Sequence, residues 1–233
     1  MQHSMEEYSK PVASGDDTHV RRLHRRKVFS ALVFGGILVT CGSYTRVAAA
    51  ASGPVLVLGD SLSAEYGIAR GKGWVSLLQA RLAQSSPSLS VINASVSGET
   101  TAGGRTRIAA LLERHKPSVV VIELGGNDAL RGLDLKRTEA NLREMIVASR
   151  SAGARPLLVG MQVPPNYGRS YTQAFAALFD EVARSTGTPL VPFLLAGIAE
   201  DLAFFQDDQI HPNERAQPLM LDTVWPTLKN LLP

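Results

Sequence analysis

From Pro54 onward the chain alternates five short apolar runs with longer stretches in which apolar residues recur every three or four positions, and few folds accept that alternation. The runs are Val55–Leu58, Leu89–Ile92, Val119–Ile122, Pro156–Val159 and Pro189–Val191. Most are apolar at successive positions, as strands of a parallel sheet covered on both faces are. Between them Trp74, Leu77, Leu78 and Leu82 make one helical stripe, and Ile108, Leu111 and Leu112 a second. Leu135, Leu142, Met145, Ile146 and Ser149 mark a third helix, residues 171–186 a fourth, and Leu219, Met220, Val224, Leu228 and Leu231 a last one. Asp134 or Thr138 is placed to cap the third helix, and Pro117 ends the second before it. Strand–helix alternation of this kind implies an α/β fold: a three-layer α/β/α sandwich around a parallel sheet of about five strands, joined by right-handed crossovers.

The expected domain is residues 52–233, because the first 51 residues have a different character. Arg21-Arg22-Leu23-His24-Arg25-Arg26-Lys27 is a cationic stretch, Val28–Thr40 an apolar one, and Val47-Ala48-Ala49-Ala50-Ala51 a run of small residues that suits a signal peptidase. This order predicts a secretory signal with cleavage after Ala50 or Ala51, a periplasmic or secreted location, and a polar extension over residues 1–20. A retained N-terminal anchor, lipidation at Cys41 and a twin-arginine signal at Arg25-Arg26 are the alternatives. The leader also accounts for the basic charge. The whole chain carries +3, and residues 1–51 hold seven Lys/Arg against four Asp/Glu; from Ser52 onward 17 basic residues meet 17 acidic ones. Nothing in the domain therefore points to nucleic acid as a partner. Cys41 is the single cysteine, so the domain has no thiol nucleophile, thiolate metal site or redox pair.

In a parallel sheet of this type functional groups gather beyond the carboxyl ends of the strands. Gly59-Asp60-Ser61-Leu62-Ser63 follows the first run, Asn93–Thr100 the second, and Gly125-Gly126-Asn127-Asp128 the third. A general base near neutral pH is most often histidine. His115 falls in the last turn of the second helix, where a cation suits the helix end. His211 lies in Asp207-Asp208-Gln209-Ile210-His211-Pro212-Asn213, just before the last helix. A carboxylate three residues ahead on a tight turn can accept Nδ1–H and leave Nε2 free; Asp208 has that spacing and Asp207 is expected to face away. Without cysteine the nucleophile falls to a hydroxyl, and Ser61, directly after a strand, is the candidate. Taken alone, Gly-Asp-Ser is an ordinary turn sequence.

Together the blocks Gly59-Asp60-Ser61-Leu62-Ser63, Gly98, Gly125-Gly126-Asn127-Asp128 and Asp208-x-x-His211 resemble the SGNH (GDSL) hydrolase family in order and spacing. Leu58-Gly59-Asp60-Ser61-Leu62-Ser63-Ala64, Glu123–Gly132, Asp207–Pro218 and Pro164-Pro165-Asn166-Tyr167-Gly168 are similar to its periplasmic lysophospholipase/arylesterase/acyl-CoA thioesterase group. The resemblance covers Pro54 to about Leu231 and implies a flavodoxin-like sheet. It further implies Ser61 as nucleophile, His211 as base, Asp208 orienting it, and an oxyanion hole from the Ser61 amide, the Gly98 amide and the Asn127 side chain. Asp60 and Asp128 are expected to brace loops. Glu65 and Ala129 stand where the family often has glycine, and Glu65 is placed to reshape the acyl entrance.

The activity implied is hydrolysis of acyl esters or thioesters through an acyl-serine intermediate, with no cofactor or metal, by a monomeric domain in transient contact with membrane lipids. An apolar acyl chain would meet Leu62, Tyr66, Val163, Pro164 and Tyr167. A carbohydrate O-deacetylase and a non-catalytic ligand-binding protein are the alternatives on the same fold. Other signatures are missing. There is no G-x-S-x-G elbow, no H-E-x-x-H, and Gly67–Lys72 is one residue short of a phosphate loop. Asn93-Ala94-Ser95 matches a glycosylation sequon, but its position at a strand end gives it a structural role.

Overall fold

In the computed structural model, which describes residues 53–233, five strands form one parallel sheet in the order β2-β1-β3-β4-β5. They are β1 (Val55–Gly59), β2 (Val91–Asn93), β3 (Val119–Glu123), β4 (Arg155–Val159) and β5 (Leu190–Val191). Every residue of β1 and β3 is buried, which is why their sequences are apolar without alternation. Edge strand β2 is only partly covered and is correspondingly mixed. Pairing from Val55↔Val119 to Gly59↔Glu123 makes β1 and β3 end level, so the turns that follow them emerge side by side. The chain runs from β1 out to β2 and back across to β3, and ligands of such sheets sit where that reversal occurs.

Helices α1 (Trp74–Ser85) and α6 (Gln217–Leu228) cover one face of the sheet. The other is covered by α2 (Thr101–His115), α4 (Leu135–Ser151) and α5 (Arg169–Thr186). Leu142, Met145 and Ile146 of α4 are fully buried, each such side chain stabilising the fold by about 1.5–3 kcal/mol. The α4 cap is Asp134, whose carboxylate accepts from Lys136 N–H at 2.9 Å. Thr138 is not the cap; it is buried and donates to Asp128. Helix α2 stops at His115, with Lys116 left-handed at φ 45° ahead of Pro117.

Two expectations change. On α6 the inward residues are Met220, Leu221, Val224 and Leu228, whereas Leu219 is 40% exposed; the helix begins at Gln217, whose buried side chain sets its rotation. The segment after β3 is not simply a loop, because Gly126–Leu130 forms a short helix, α3, entered through Gly125 at φ 121°. The signal sequence, Cys41 and the cleavage site at Ala50 or Ala51 lie outside the described residues.

Candidate active site

Ser61 stands in the turn directly after β1, where the chain leaves a fully buried strand and needs hydrogen-bond partners at once. Asp60 meets that need. Its Oδ1 accepts from Leu62 N–H at 3.0 Å, and its carbonyl accepts from the amides of Ser63 and Ala64. Asn93 fastens the far side of the turn, donating from Nδ2 to the Ser63 carbonyl at 2.7 Å while its Oδ1 accepts from Ser95 N–H. The sequon asparagine therefore has its side chain in structural use.

His211 arrives from the opposite end of the domain, 150 residues away, with Nε2 2.9 Å from Ser61 Oγ. Its loop is folded back on itself. Gln206 N–H donates to the His211 carbonyl at 2.8 Å, Asn213 N–H to the Phe204 carbonyl at 2.8 Å, and Phe205 pairs with Pro212. Gln209 is left-handed at φ 55° and closes the turn. Within it Asp208 Oδ1 accepts from the Ile210 and His211 amides, each at 2.9 Å, and Oδ2 lies 2.7 Å from His211 Nδ1. A carboxylate only accepts, so Nδ1 carries the proton and Nε2 is left to accept from the Ser61 hydroxyl. Partial desolvation pushes the Asp208 carboxyl up, but the His211 and Ile210 amides and the imidazole outweigh it and hold it down at about 2. Asp207 is exposed, and the carboxylate bonded to the ring is that of Asp208. Tyr66, itself 50% exposed, lays its ring against the imidazole with centroids 4.4 Å apart.

Asn127, on α3, donates from Nδ2 to Asp60 Oδ2 at 3.0 Å. A primary amide has two N–H bonds, so one is anchored and one is left over. Gly98 is left-handed at φ 78°, a conformation that suits glycine. Its neighbourhood is tied on three sides. Val96 N–H donates to the Gly59 carbonyl at 3.0 Å, Arg131 donates to the Gly98 carbonyl at 2.8 Å, and both Thr101 N–H and its hydroxyl donate to Asp128. Arg107 adds a bond to Ala94 and an ion pair with Glu99. Among the described residues neither the Ser61 nor the Gly98 amide donates to a protein acceptor. Free N–H groups of this kind are what an oxyanion needs.

A shallow depression beside Ser61 and His211 is lined by Leu62, Glu65, Tyr66 and Ile68. Glu65 is left-handed at φ 61°, which explains why glycine suits the position. Its carboxylate turns back into the 65–76 loop, accepting from Gly71 and Gly73 amides and from Ser76 Oγ at 2.7 Å. The expected effect on the entrance is thus a braced loop wall. Of the apolar rim residues, Val163 is buried as packing, while Tyr66 and Tyr167 are exposed. His115 ends α2, away from these groups, as expected. Among the described residues no group of three or more His, Cys, Asp or Glu could hold a metal ion.

The sequence reading passed over Glu123, the last residue of β3, which is fully buried and hydrogen-bonded to the Ser61 turn. The available signal was an acid ending an otherwise apolar strand. It also passed over Gln206, whose Nε2 ties the Tyr66 carbonyl to that of Pro212 and so joins the two loops.

Known proteins resemble this chain over most of its length. The model of the GDSL-like Lipase/Acylhydrolase family matches residues 57–218. The chain is 50% identical over 183 residues to Esterase TesA of Pseudomonas aeruginosa, covering 78% of this chain and 91% of that protein. It is 41% identical over 184 residues to Thioesterase 1/protease 1/lysophospholipase L1 of Escherichia coli K12, covering 79% and 87%. The crystal structure of the psychrotrophic esterase EstA from Pseudoalteromonas sp., inhibited by monoethylphosphonate, is similar with a TM-score of 0.73. That match has 40% identity and covers 77% of this chain and 98% of that one.

Proposed function

From the premise that the chain belongs to the GDSL-like lipase/acylhydrolase family, we propose that it hydrolyses acyl esters and thioesters with Ser61 as nucleophile. The observation that carries the reading is the line of contacts from Ser61 Oγ to His211 Nε2 at 2.9 Å and from His211 Nδ1 to Asp208 Oδ2 at 2.7 Å. Ser61 Oγ attacks the carbonyl carbon while His211 takes the hydroxyl proton. The oxygen that becomes negative is met by the Ser61 and Gly98 amides and the free N–H of Asn127. Collapse breaks the C–O or C–S bond, and His211 returns its proton to the departing alkoxide or thiolate. Water then attacks the acyl-Ser61 ester with His211 again as base, releasing the acid and restoring the serine.

Small acyl esters and thioesters are the substrates, and the domain acts on them as a monomer, since every group in the relay comes from one chain. Exposed Tyr66, beside the His211 ring, and Ile210, within the His211 loop, favour transient contact with lipid. The cationic and apolar leader supports export to the periplasm or medium, with cleavage near Ala50 or Ala51. A fluorophosphonate probe followed by mass mapping tests the core of this reading. The adduct is expected on Ser61 in the wild type, with labelling abolished in S61A and in H211A at neutral pH; an adduct on another residue overturns it. A p-nitrophenyl ester series, run beside acetylated sugars, reads the acyl preference and separates an esterase from a carbohydrate deacetylase.

A further inference from the structure

β3 ends in a carboxylic acid that solvent does not reach. Glu123 is 0% exposed and sits in register with Gly59 across the β1–β3 pair. Its head group lies under the turn that carries Ser61, where Oε2 accepts from Ser63 Oγ at 2.7 Å and from Asp60 N–H at 3.3 Å. The space is made by Gly59, because a Cβ there would stand 2.6 Å from that same oxygen. Among the described residues no group hydrogen-bonds to Oε1, which is also buried. A carboxylate in such a place would hold a full charge with donors on one oxygen only, and burial penalises the charged form far more than the neutral acid.

A second buried carboxyl, Asp60, is adjacent and better provided. Its Oδ1 accepts from Leu62 N–H and its Oδ2 from Asn127 Nδ2. Two carboxyls this close do not both ionise easily. The partners decide which one does: Asp60 has a donor on each oxygen, and Glu123 has one oxygen with none. Asp60 is the charged group that faces Glu123, and Asp60 is faced in turn by Asp128 of α3 and by His211 of the loop before α6. Burial pushes Asp60 up to about 6 and Glu123, with the added repulsion of Asp60, well above the ordinary carboxyl range. Near neutral pH the pair then carries one charge.

We propose that Glu123 is a positioning residue that works as a neutral acid: it clamps the Asp60 amide and the Ser63 hydroxyl beneath the Ser61 turn, and by staying uncharged leaves Asp60 the single anion that orients Asn127. The inference deepens the reading of the site given above and rests on it for the role of Asn127. The protonation state of Glu123 does not depend on which residue is the nucleophile. A group neutral in the fold and ionised in the unfolded chain costs stability as pH rises. Below the ordinary glutamate value of 4.5 both states are neutral and the cost is absent; above it the cost grows until the folded-state value is passed.

Infrared spectra of E123Q, E123A and the wild type in D2O at neutral pH test the protonation directly. The wild type is expected to show the carbonyl band of a protonated carboxylic acid, and E123Q to lack it. Glutamine keeps an acceptor for both donors, so E123Q is expected to retain kcat on a p-nitrophenyl ester within about twofold, while E123A loses about tenfold to hundredfold with little change in KM. The Tm of E123Q relative to wild type is expected to rise steadily from about pH 4 to about pH 8. Absence of the band, equal impairment of E123Q and E123A, or a Tm difference that is flat with pH overturns the proposal. Should E123A fail to fold, the band and the pH trend of E123Q still decide it. Because both can be read in protein labelled at any residue, failure of Ser61 as nucleophile and failure of Glu123 as a neutral acid are separate results.

Discussion

Asn127 faces two demands with one side chain. One N–H is spent on Asp60 Oδ2, which fixes the plane of the amide, and in the proposed reaction the other meets charge that develops only during turnover. A donor held in place before the reaction gains most from the transition state and little from the bound substrate. N127A is therefore expected to lower kcat by ~10²–10³ with KM nearly unchanged. Steady-state kinetics on a p-nitrophenyl ester checks this, and a loss confined to KM would remove Asn127 from the oxyanion hole. Asp208 is different in kind. Held at about 2, it is ionised throughout the mildly acidic and neutral range, so loss of activity toward mild acid belongs to other groups. Its contribution to stability is present above the ordinary aspartate value of 3.8 and is lost as pH falls through about 2.

Among elements, the loop from Leu62 to Gly73 does the most with the least regular structure. It forms a wall of the Ser61–His211 depression, and its turns pair the amides of Ser63, Ala64, Tyr66, Ile68 and Lys72 while those of Gly71 and Gly73 need other acceptors. Glu65 supplies them through Gly71, Gly73 and Ser76, and Gln206 ties Tyr66 to the His211 loop. Removing an acceptor with a charge leaves several donors to find water, so E65A is expected to destabilise the fold by about 2 kcal/mol. Urea unfolding at neutral pH measures it, and a change under about 0.5 kcal/mol would mean that the loop stands without this brace. E65G separates backbone from side chain, since it relieves the left-handed conformation while losing the same bonds. These elements differ in how legible they were. The strands around Val57 and Val121 and the stripe of α4 announce themselves because burial repeats at a fixed interval. Helix α3 does not, because five residues are too few to show a stripe. Glu123 was hidden for another reason: its setting is made by Gly59, Asp60 and Ser63, some sixty residues away along the chain.

At the scale of the molecule, the Ser61–His211 contact joins the first strand to the segment before the last helix, so the site exists only when both ends of the domain are in place. The order of the motif blocks was legible in the sequence for this reason: each lies at the end of a strand or the start of a helix, and a parallel sheet brings those ends to one rim. Their distances were not legible, because they depend on turns such as that at Gln209 and on bonds between loops. The two tryptophans report on the same layer. Trp74 begins α1, is fully buried, and donates its amide to Gln217 at the start of α6, while Trp225 lies on α6 beneath Arg81. Helix α6 follows the His211 loop directly, with Asn213 and Gln217 bonded across the junction. Opening of the α1–α6 layer should therefore carry His211 away from Ser61. Tryptophan fluorescence and esterase activity are expected to fall with a common midpoint in urea, as a cooperative domain requires. If activity were lost at clearly lower urea while the tryptophans stayed buried, the His211 loop would be opening as a local unit. The bonds from Gln206 and Asn213 that close that loop argue for the common midpoint.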